Sequence, residues 1–419
     1  MIRRLALAVA AVMAMLCAGP AAAHLTPNSE IGLDIGRSMV AAEVIAPLGE
    51  VGYALGRPIP TAPGPARDAA LSMLRGYLLS HLAVRSPDGR PWSVALKDLA
   101  ITDDVGAPDL KAHLVMRPPA GAPLRRFDLA YAMVIDRVPN HFVLVLQRTD
   151  FDGGRLSTRP RMIGGLQGAV RSLRVDSGPG NGWRGFVAAV GLGMRHIAEG
   201  HDHLLFLMSL LLPAPLIAVA GRWGPYGGLR HTARRLAGVV SAFTVGHSIT
   251  LLGGAFLGWQ LRTQPVEVAI AVSILVSSVH AWRPLFAGRE PWVAGGFGLV
   301  HGLAFATLIG RFGLEPLQKA QSILGFNVGI ELVQLAVVAA VMPALILLAR
   351  TPRYPALRMG GAVFTGVAAI AWIAERAGGG ANPVGRLIDQ GLGYAPWLVL
   401  LLTLGAVAAT LAERRRAPA

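Results

Sequence analysis

The stretch HIAEGHDHLLFL, which begins at His196, places three histidines and two carboxylates directly before a long apolar run. On a helix, His196, Glu199 and His203 share one stripe, because residues three, four and seven apart lie on the same face. Asp202 is turned about 100° from His203, so it faces a neighbouring helix or hydrogen-bonds a histidine from behind. Imidazole and carboxylate groups without thiolates suit Ni²⁺, Co²⁺ or Zn²⁺. We therefore predict His196, Asp202 and His203 as metal ligands, with Glu199 in support and His201 turned away.

Two more histidines lie near the middle of later apolar spans. His247 stands in FTVGHSITLL beside Ser248, and His301 stands in FGLVHGLAF. A charged group at the centre of a span costs about 2.5–3.5 kcal/mol on insertion scales, so each such residue needs a function or a partner. Gly298 and Gly302, four residues apart, would let another helix approach closely. We predict His247 and His301 as metal ligands with Ser248 in support; the alternative is that each histidine only bonds a backbone carbonyl.

A polar stripe marks the fifth span, FNVGIELVQL. Asn327, Glu331 and Gln334 are spaced four and three residues apart, so they share one helical face. Exposing these polar side chains to lipid would be energetically costly, so this helical face must point to the bundle interior or to water. We predict Glu331 as a ligand or proton-coupling group, supported by Asn327, Gln334 and Glu267 at the start of the third span. A structural hydrogen-bond clasp is the alternative for the stripe.

The elements that must position these residues are apolar spans of membrane-crossing length. The sequence contains about seven, near 203–220, 236–257, 266–282, 292–310, 323–349, 360–374 and 394–411. Arginines concentrate in the loops after the first, third and fifth spans and in the C-terminal tail, which places these segments in the cytoplasm. The predicted fold is therefore an α-helical polytopic membrane bundle of about seven spans.

The composition agrees with a membrane protein. Apolar residues make up 53% of the chain and charged residues 15%, with a net charge of +15. The positive charge lies in short loops between apolar spans, where it serves as a topology signal. A single soluble fold is therefore excluded, and no nucleic-acid partner is expected.

The chain begins with the features of a secretory signal peptide, over residues 1–23. Arg3 and Arg4 precede an apolar stretch and an alanine-rich cleavage site. Cys17 is the one cysteine, so the mature chain would have neither disulfides nor thiolate ligands. The mature chain would begin at His24, whose α-amine and imidazole together form a candidate outer Cu²⁺ site. The simpler alternative is that His24 only follows the cleavage site.

A second domain separates the signal from the spans. Residues 24–176 contain short alternating stretches and turn signals, which predict an extracytoplasmic β-sandwich-like domain. Within it only Arg67–Leu79 has a helical pattern. Residues 177–185, which contain SGPGNG, are the predicted linker, followed by a transmembrane helical domain over 186–412 and a cytoplasmic tail over 413–419.

The ordered set HIAEGHDHLLFL, FTVGHSITL, VEVAIAVSI, FGLVHGLAFA and FNVGIELVQLAVV resembles the HupE/UreJ family of bacterial membrane proteins. The resemblance covers roughly residues 186–338 and is closest to the branch with a secreted N-terminal domain. It implies nickel or cobalt uptake, and it implies that His196, Asp202 and His203 form the histidine–acid signature. Distantly related nickel/cobalt permeases have four residues between the first histidine and Asp-His, whereas this chain has five.

The main hypothesis is a permease for divalent transition-metal cations, nickel or cobalt first and zinc next. The path runs from Asp202 and His203 past His247 and His301, with Glu331 as a carboxylate or proton-coupling partner. The expected partners are the transported ions and the lipid bilayer, with no tightly bound cofactor and no enzymatic activity. Protein partners are undetermined. The predicted location is a bacterial inner membrane, with the N-terminal domain outside and the C-terminus inside.

Two other classes of function stay open. A zinc-dependent intramembrane hydrolase could use the same histidines, with Glu331 as general base. A metal-sensing or delivery protein could use the outer domain and His24. Tightly retained stoichiometric zinc would favour the hydrolase, whereas dispersed weak sites favour transport.

Overall fold

The computed structural model describes residues 28–416 apart from 103–106, 260, 312–313 and 381. The predicted signal peptide, 1–23, and His24 lie outside the described residues, so the outer Cu²⁺ site stays a prediction.

The N-terminal domain is β-rich, as expected. Its strands are β1 (Ser29–Ile35), β2 (Val40–Pro47), β3 (Leu82–Arg85), β4 (Ser93–Thr102), β5 (Asp109–Arg117), β6 (Arg126–Tyr131), β7 (Val143–Asp150), β8 (Arg155–Leu166) and β9 (Ser172–Asp176). One sheet has the order β4-β5-β2-β1-β7-β8 and the other β3-β6-β9. Strands β1 and β7 are parallel, whereas the other pairs are antiparallel. The two sheets share one apolar core, which includes Ile31, Leu33, Phe127 and Tyr131.

Two helices belong to this domain. Helix α2 (Pro65–Ser80) covers the predicted Arg67–Leu79 and places Leu74 and Leu78 in the shared core. Helix α1 (Leu48–Ala54) was not predicted. Its seven residues span less than two full periods of 3.6, so its sequence pattern cannot be told from a loop.

The rest of the described chain is mainly helical. Its helices are α3 (Gly182–Glu199), α4 (His201–Leu211), α5 (Leu229–Leu257), α6 (Thr263–Trp282), α7 (Glu290–Arg311), α8 (Pro316–Leu348), α9 (Tyr354–Gly378), α10 (Pro383–Leu392) and α11 (Ala395–Arg416). Strands β10 (Leu216–Val219) and β11 (Arg222–Tyr226) form a hairpin between α4 and α5. Within the described residues, five helices are long and apolar enough to cross a membrane: α5, α6, α8, α9 and Ala395–Arg415 of α11. The chain is therefore a multi-pass membrane protein.

The predicted bounds of the first span, 203–220, are wrong. Helix α4 ends at Leu211, and the segment then turns into the β10–β11 hairpin. Pro213 and Pro215 explain the early end, because proline has no N–H for the helical hydrogen bond and its ring clashes with the preceding turn. More helix lies before α4. Helix α3 ends at Glu199, so that only Gly200 separates the two helices.

Helix α3 begins inside the predicted linker, 177–185. Asn181 caps it, because its side-chain oxygen accepts a hydrogen bond of 2.9 Å from the backbone N–H of Arg184. The helix therefore starts at Gly182, only a few residues after the last strand of the outer domain.

The outer domain contacts the bundle next to the start of α8. The backbone N–H and the hydroxyl of Ser38 donate to Glu315 Oε1 at 3.1 and 2.7 Å. Phe151 of the outer domain packs with Ala189 of α3 and Leu314. These contacts fix the ends of α3 and α8 that lie nearest the β-domain.

Candidate functional site

Four helices bring four histidines into one buried cluster. His196 comes from α3, His203 from α4, His247 from α5 and His301 from α7. The ring centroids are 4.7 Å apart for His196–His203, 4.9 Å for His203–His301 and 6.1 Å for His196–His247. His247 and His301 are fully buried, and His203 is 8% exposed. These are the four histidines that the sequence predicted as ligands, and we call them the histidine cluster.

Glycines allow α5 and α7 to pack with their backbones in contact. A Cβ added at Gly246 would lie 2.1 Å from the carbonyl oxygen of Gly295, and one at Gly298 would lie 2.2 Å from that of Phe243. At Gly302, a Cβ would lie 2.7 Å from the carbonyl oxygen of His247. The predicted close approach at Gly298 and Gly302 is therefore confirmed. It sets the separation of the helices that carry His247 and His301.

The break at Gly200 positions the other two histidines. Helix α3 packs on α8 through Gly193 and Gly329, whose added Cβ atoms would lie 2.0 and 2.1 Å from backbone oxygens of the facing helix. At Gly200 the backbone leaves the helical region, with φ −82° and ψ 89°, and α4 starts one residue later. His196 and His203 stay adjacent across this break.

Phenylalanines enclose the cluster. His196 lies against Phe305 and Phe326, with centroid distances of 4.5 and 5.3 Å. His301 lies against Phe206 and Phe243 at 5.1 and 5.3 Å. A cation between these rings would meet imidazole nitrogens in surroundings of low dielectric, where charge–dipole interactions are stronger than in water.

Most nitrogens of the cluster have no hydrogen-bond partner within the described part of the chain. The unpartnered buried atoms are Nε2 of His196, both ring nitrogens of His203, both ring nitrogens of His247 and Nδ1 of His301. A buried polar atom without a partner costs about 1–3 kcal/mol, and native proteins keep few of them. The unpartnered atoms lie in one buried cluster, where each neutral imidazole has one nitrogen lone pair to offer.

Ser273 of α6 fixes the tautomer of His301. Its hydroxyl donates to the carbonyl oxygen of Ile270 at 2.6 Å and lies 2.9 Å from Nε2 of His301. A hydroxyl has a single hydrogen, so Nε2 must donate to Ser273 and carry the proton. The lone pair on Nδ1 of His301 is then free. A histidine that binds a metal through one ring nitrogen usually donates a hydrogen bond from the other.

The cluster is not a preformed chelate. Among the described residues, no group of three or more His, Cys, Asp or Glu side chains is arranged to hold a metal ion. The rings meet mainly edge to face, with their nitrogens at several positions. Such an arrangement favours successive weak contacts over one tight site.

A cavity of about 720 Å³ lies beside the cluster, and we call it the vestibule. Its charged lining residues are Glu199, His201, Asp202, Glu267, Glu375, Arg376 and Asp389. Gly200 also lines it, and a Cβ added there would lie 2.8 Å from Nδ1 of His203. A residue without a side chain therefore stands between the carboxylate-rich cavity and the first unpartnered imidazole.

Within the described residues, Asp202 is hydrogen-bonded to an arginine and to no histidine. Nη2 of Arg376 donates to both carboxylate oxygens of Asp202 at 2.8 and 3.0 Å, and Nη1 donates to the carbonyl oxygen of Glu267. His201, predicted to be turned away from the metal ligands, is hydrogen-bonded through Nδ1 to Asp389 at 2.8 Å. The opening motif thus divides at Gly200, with His196 and His203 in the cluster and Asp202 and His201 in the vestibule.

The residues that the sequence predicts to support the metal ligands lie in different parts of the structure. Glu199 is exposed and Glu267 half-buried, both in the vestibule. Ser248 donates to the carbonyl oxygen of Thr244 at 2.7 Å, within its own helix. Among the described residues, Ser248 makes no hydrogen bond to the cluster.

The polar stripe of α8 is partly buried. Asn327 and Gln334 are buried, and the side-chain oxygen of each has no partner among the described residues. Glu331 is half-buried and makes neither a hydrogen bond nor an ion pair in that part of the chain. No hydrogen bond in the described chain links the stripe to the histidine cluster, although Phe326 of the same helix contacts two of its rings.

One outer-domain histidine is buried. Nε2 of His141 lies 2.8 Å from the hydroxyl of Ser29, and Nδ1 lies 3.6 Å from Glu50. Burial lowers the pKa of His141 below its ordinary value, with Glu50 acting against the shift. This histidine is a core residue of the β-domain.

The sequence does not predict the positions of two residues. A serine inside a span, such as Ser273, usually bonds its own helix, and Arg376 has the pattern of a loop charge. Neither role has a local signal, since the partners lie 28 and 174 positions away in the chain.

The sequence profile of the family described as HupE / UreJ protein matches residues 172–376. This range contains α3 to α8 and most of α9, and therefore the whole histidine cluster. No curated protein matches the chain.

Proposed function

Since the chain belongs to the HupE/UreJ family through residues 172–376, we propose that it is a permease for divalent transition-metal cations. The observation that carries this proposal is the set of six unpartnered imidazole nitrogens in one apolar pocket. Neutral imidazole nitrogens bind Ni²⁺, Co²⁺ and Zn²⁺ well. Nickel or cobalt is the proposed cargo, with zinc next.

The proposed path begins in the vestibule. Its carboxylates attract a hydrated cation, which then passes Gly200 to reach His203 and His196. The cation then binds His247 and His301. Several weak ligand sets suit transport, because a cation must bind well enough to lose water and weakly enough to leave.

A narrow cavity is lined by residues that follow His203 in α4 and precede His247 in α5. Its volume is about 10 Å³, and its lining also includes His280 and Glu290. Arg235 and Glu290 form an ion pair of 2.7 Å beside that narrow cavity. We propose that release on this side requires a rearrangement around the Arg235–Glu290 pair.

The same proposal includes the topology. Helices α3 and α4 together form one broken crossing, and α5, α6, α7, α8, α9 and α11 form six more. The outer domain, whose two sheets we interpret as a sandwich, then lies in the periplasm and the C-terminus in the cytoplasm. The arginine-rich loops agree with this orientation.

The test is metal uptake in cells that lack their own nickel, cobalt and zinc transporters. His203→Ala, His247→Ala and His301→Ala should each reduce radiolabelled Ni²⁺ or Co²⁺ uptake to the vector background, because each removes unpartnered ligand atoms. His113→Ala is the control, since its exposed ring on β5 lies outside both the cluster and the vestibule lining; it should retain most uptake.

Competition among Ni²⁺, Co²⁺, Zn²⁺ and Cu²⁺ then identifies the cargo. Unchanged uptake in all three cluster variants at normal membrane levels would overturn the proposal. Stoichiometric zinc retained through purification, together with unchanged uptake, would favour the zinc-dependent hydrolase.

A further inference from the structure

A second cavity lies between the β10–β11 hairpin and the first turns of α5 and α7. Its volume is about 710 Å³, within the range of small-ligand sites. Its charged lining residues are Arg230, His231, Arg234, Arg235 and Glu290. We call it the arginine pocket.

Arg235 lines the pocket beside Glu290, which compensates its positive charge. Arg235 is bound to Glu290 at 2.7 Å and donates to the carbonyl oxygens of Pro213 and Leu216 at 3.0 Å each. Its guanidinium also lies 4.7 Å from the ring centroid of Trp223. Arg235 therefore uses its charge and most of its donors within the protein.

The other two arginines are free. Arg230 and Arg234 are exposed and have no hydrogen bond or ion pair in the described part of the chain. They lie four residues apart on α5, so their side chains project from one helical face. His231, between them, donates through Nε2 to the carbonyl oxygen of Leu216 at 3.3 Å. Counted without His231, the lining carries three arginines against one glutamate, a net charge of +2.

The surroundings of the pocket are apolar. Trp292 is 85% exposed, Leu229 61% and Leu285 57%. Exposed tryptophan next to arginine is typical of the level where lipid headgroups meet hydrocarbon. A soluble anion would gain nothing from these side chains, whereas a lipid presents both an anionic phosphate and acyl chains.

We propose that the arginine pocket binds the phosphate headgroup of an anionic phospholipid, with Arg230 and Arg234 as its ligands. Arginine suits this role because its fork of N–H donors matches phosphate oxygens. Basic pockets between helices on the cytoplasmic side are known to hold such headgroups. The inference depends on the membrane placement of the bundle and not on the cargo of the histidine cluster.

The test uses the full-length protein, delipidated in detergent and offered equal amounts of phosphatidylglycerol and phosphatidylcholine. Retained lipid is counted by native mass spectrometry. The wild type should retain phosphatidylglycerol preferentially, and Arg230→Gln/Arg234→Gln should reduce that retention about 30-fold, since each arginine near a membrane surface contributes about a factor of five.

Arg283→Gln/Arg414→Gln is the matched control. It removes the same charge from the same proposed side of the membrane, but neither residue lines the pocket. It should retain phosphatidylglycerol as the wild type does. Equal losses in both double variants would show a general charge effect and overturn the proposal, as would equal retention of the two lipids.

A competition arm separates the lipid from a free phosphate. Inorganic phosphate at millimolar concentration should leave phosphatidylglycerol bound, because it lacks the apolar contacts. Displacement by phosphate alone would assign the pocket to a soluble anion and overturn the lipid site. Metal uptake by the same variants is measured separately, so a failure here is distinguishable from a failure of the proposed transport function.

Discussion

The contact between α5 and α7 at Gly298 offers a sharp test of how the histidine cluster is built. A Cβ at this position would lie 2.2 Å from the carbonyl oxygen of Phe243 and 3.0 Å from the backbone nitrogen of His247. Backbone atoms of a helix cannot rotate away as a side-chain end can. A carbon–oxygen contact needs roughly 3.3 Å, so Gly298→Ala must separate the two helices by about 1 Å.

The expected cost follows from this displacement. Overpacking of a buried interface costs about 1–3 kcal/mol, which corresponds to a melting temperature lower by roughly 2–12 °C for a domain of this size. The displacement also moves His247 relative to His301, and interactions that orient histidine ligands are worth about 10–100-fold in metal affinity or activity. Uptake should therefore fall roughly tenfold or more, although both His247 and His301 are still present.

Gly296→Ala is the matched control, because nothing lies within 4 Å of a Cβ added at Gly296. It adds the same methyl group to the same helix two residues earlier, and alanine favours a helix by up to about 1 kcal/mol over glycine. The assays are thermal unfolding of the purified protein and Ni²⁺ or Co²⁺ uptake at matched membrane levels. If Gly298→Ala behaved as Gly296→Ala does in both assays, the close α5–α7 contact would not position the cluster.

Three further predictions concern single side chains. Ser273→Ala should weaken Ni²⁺ or Co²⁺ uptake several-fold, because it releases Nε2 of His301 and the tautomer that frees Nδ1. Arg376→Gln should lower the cation concentration that half-saturates uptake, because Asp202 then adds an uncompensated negative charge to the vestibule. His141→Gln should flatten the acid dependence of thermal stability: burial lowers the folded-state pKa of His141, so its favourable contribution is fully present above its unfolded pKa of about 6.5 and is lost as the pH falls below that value.

Each of these predictions has its own control and refuting outcome. Ser273→Thr keeps a hydroxyl and should restore uptake; equal uptake in the alanine and threonine variants would remove Ser273 from the site. Arg386→Gln changes the same charge outside the vestibule lining, and an equal effect there would mean a general charge effect. Identical melting curves for wild type and His141→Gln from pH 7 to 5 would show that His141 does not contribute to the acid sensitivity.

Much of the fold could be read from local patterns. The apolar spans, the β-rich outer domain and the helix at Arg67–Leu79 follow from periodicity and composition, which depend only on neighbouring residues. The same patterns misplaced the first span, because the apolar run after His203 is interrupted by Pro213 and Pro215, while its helical continuation lies before Gly200. Residue types therefore identified the elements more reliably than their ends.

The sequence by itself determined which histidines belong to the bundle, because an imidazole within a membrane span is costly and must have a partner. It could not determine that His196, His203, His247 and His301 meet, since they come from four helices whose separation depends on glycine contacts.

The partners of Asp202 also needed the tertiary structure. Beside two histidines in the sequence, Asp202 has the pattern of a metal ligand, yet the fold pairs it with Arg376, 174 positions away. Helical periodicity gives the direction of a side chain around its own axis, but only the packing of the helices decides which group it meets there.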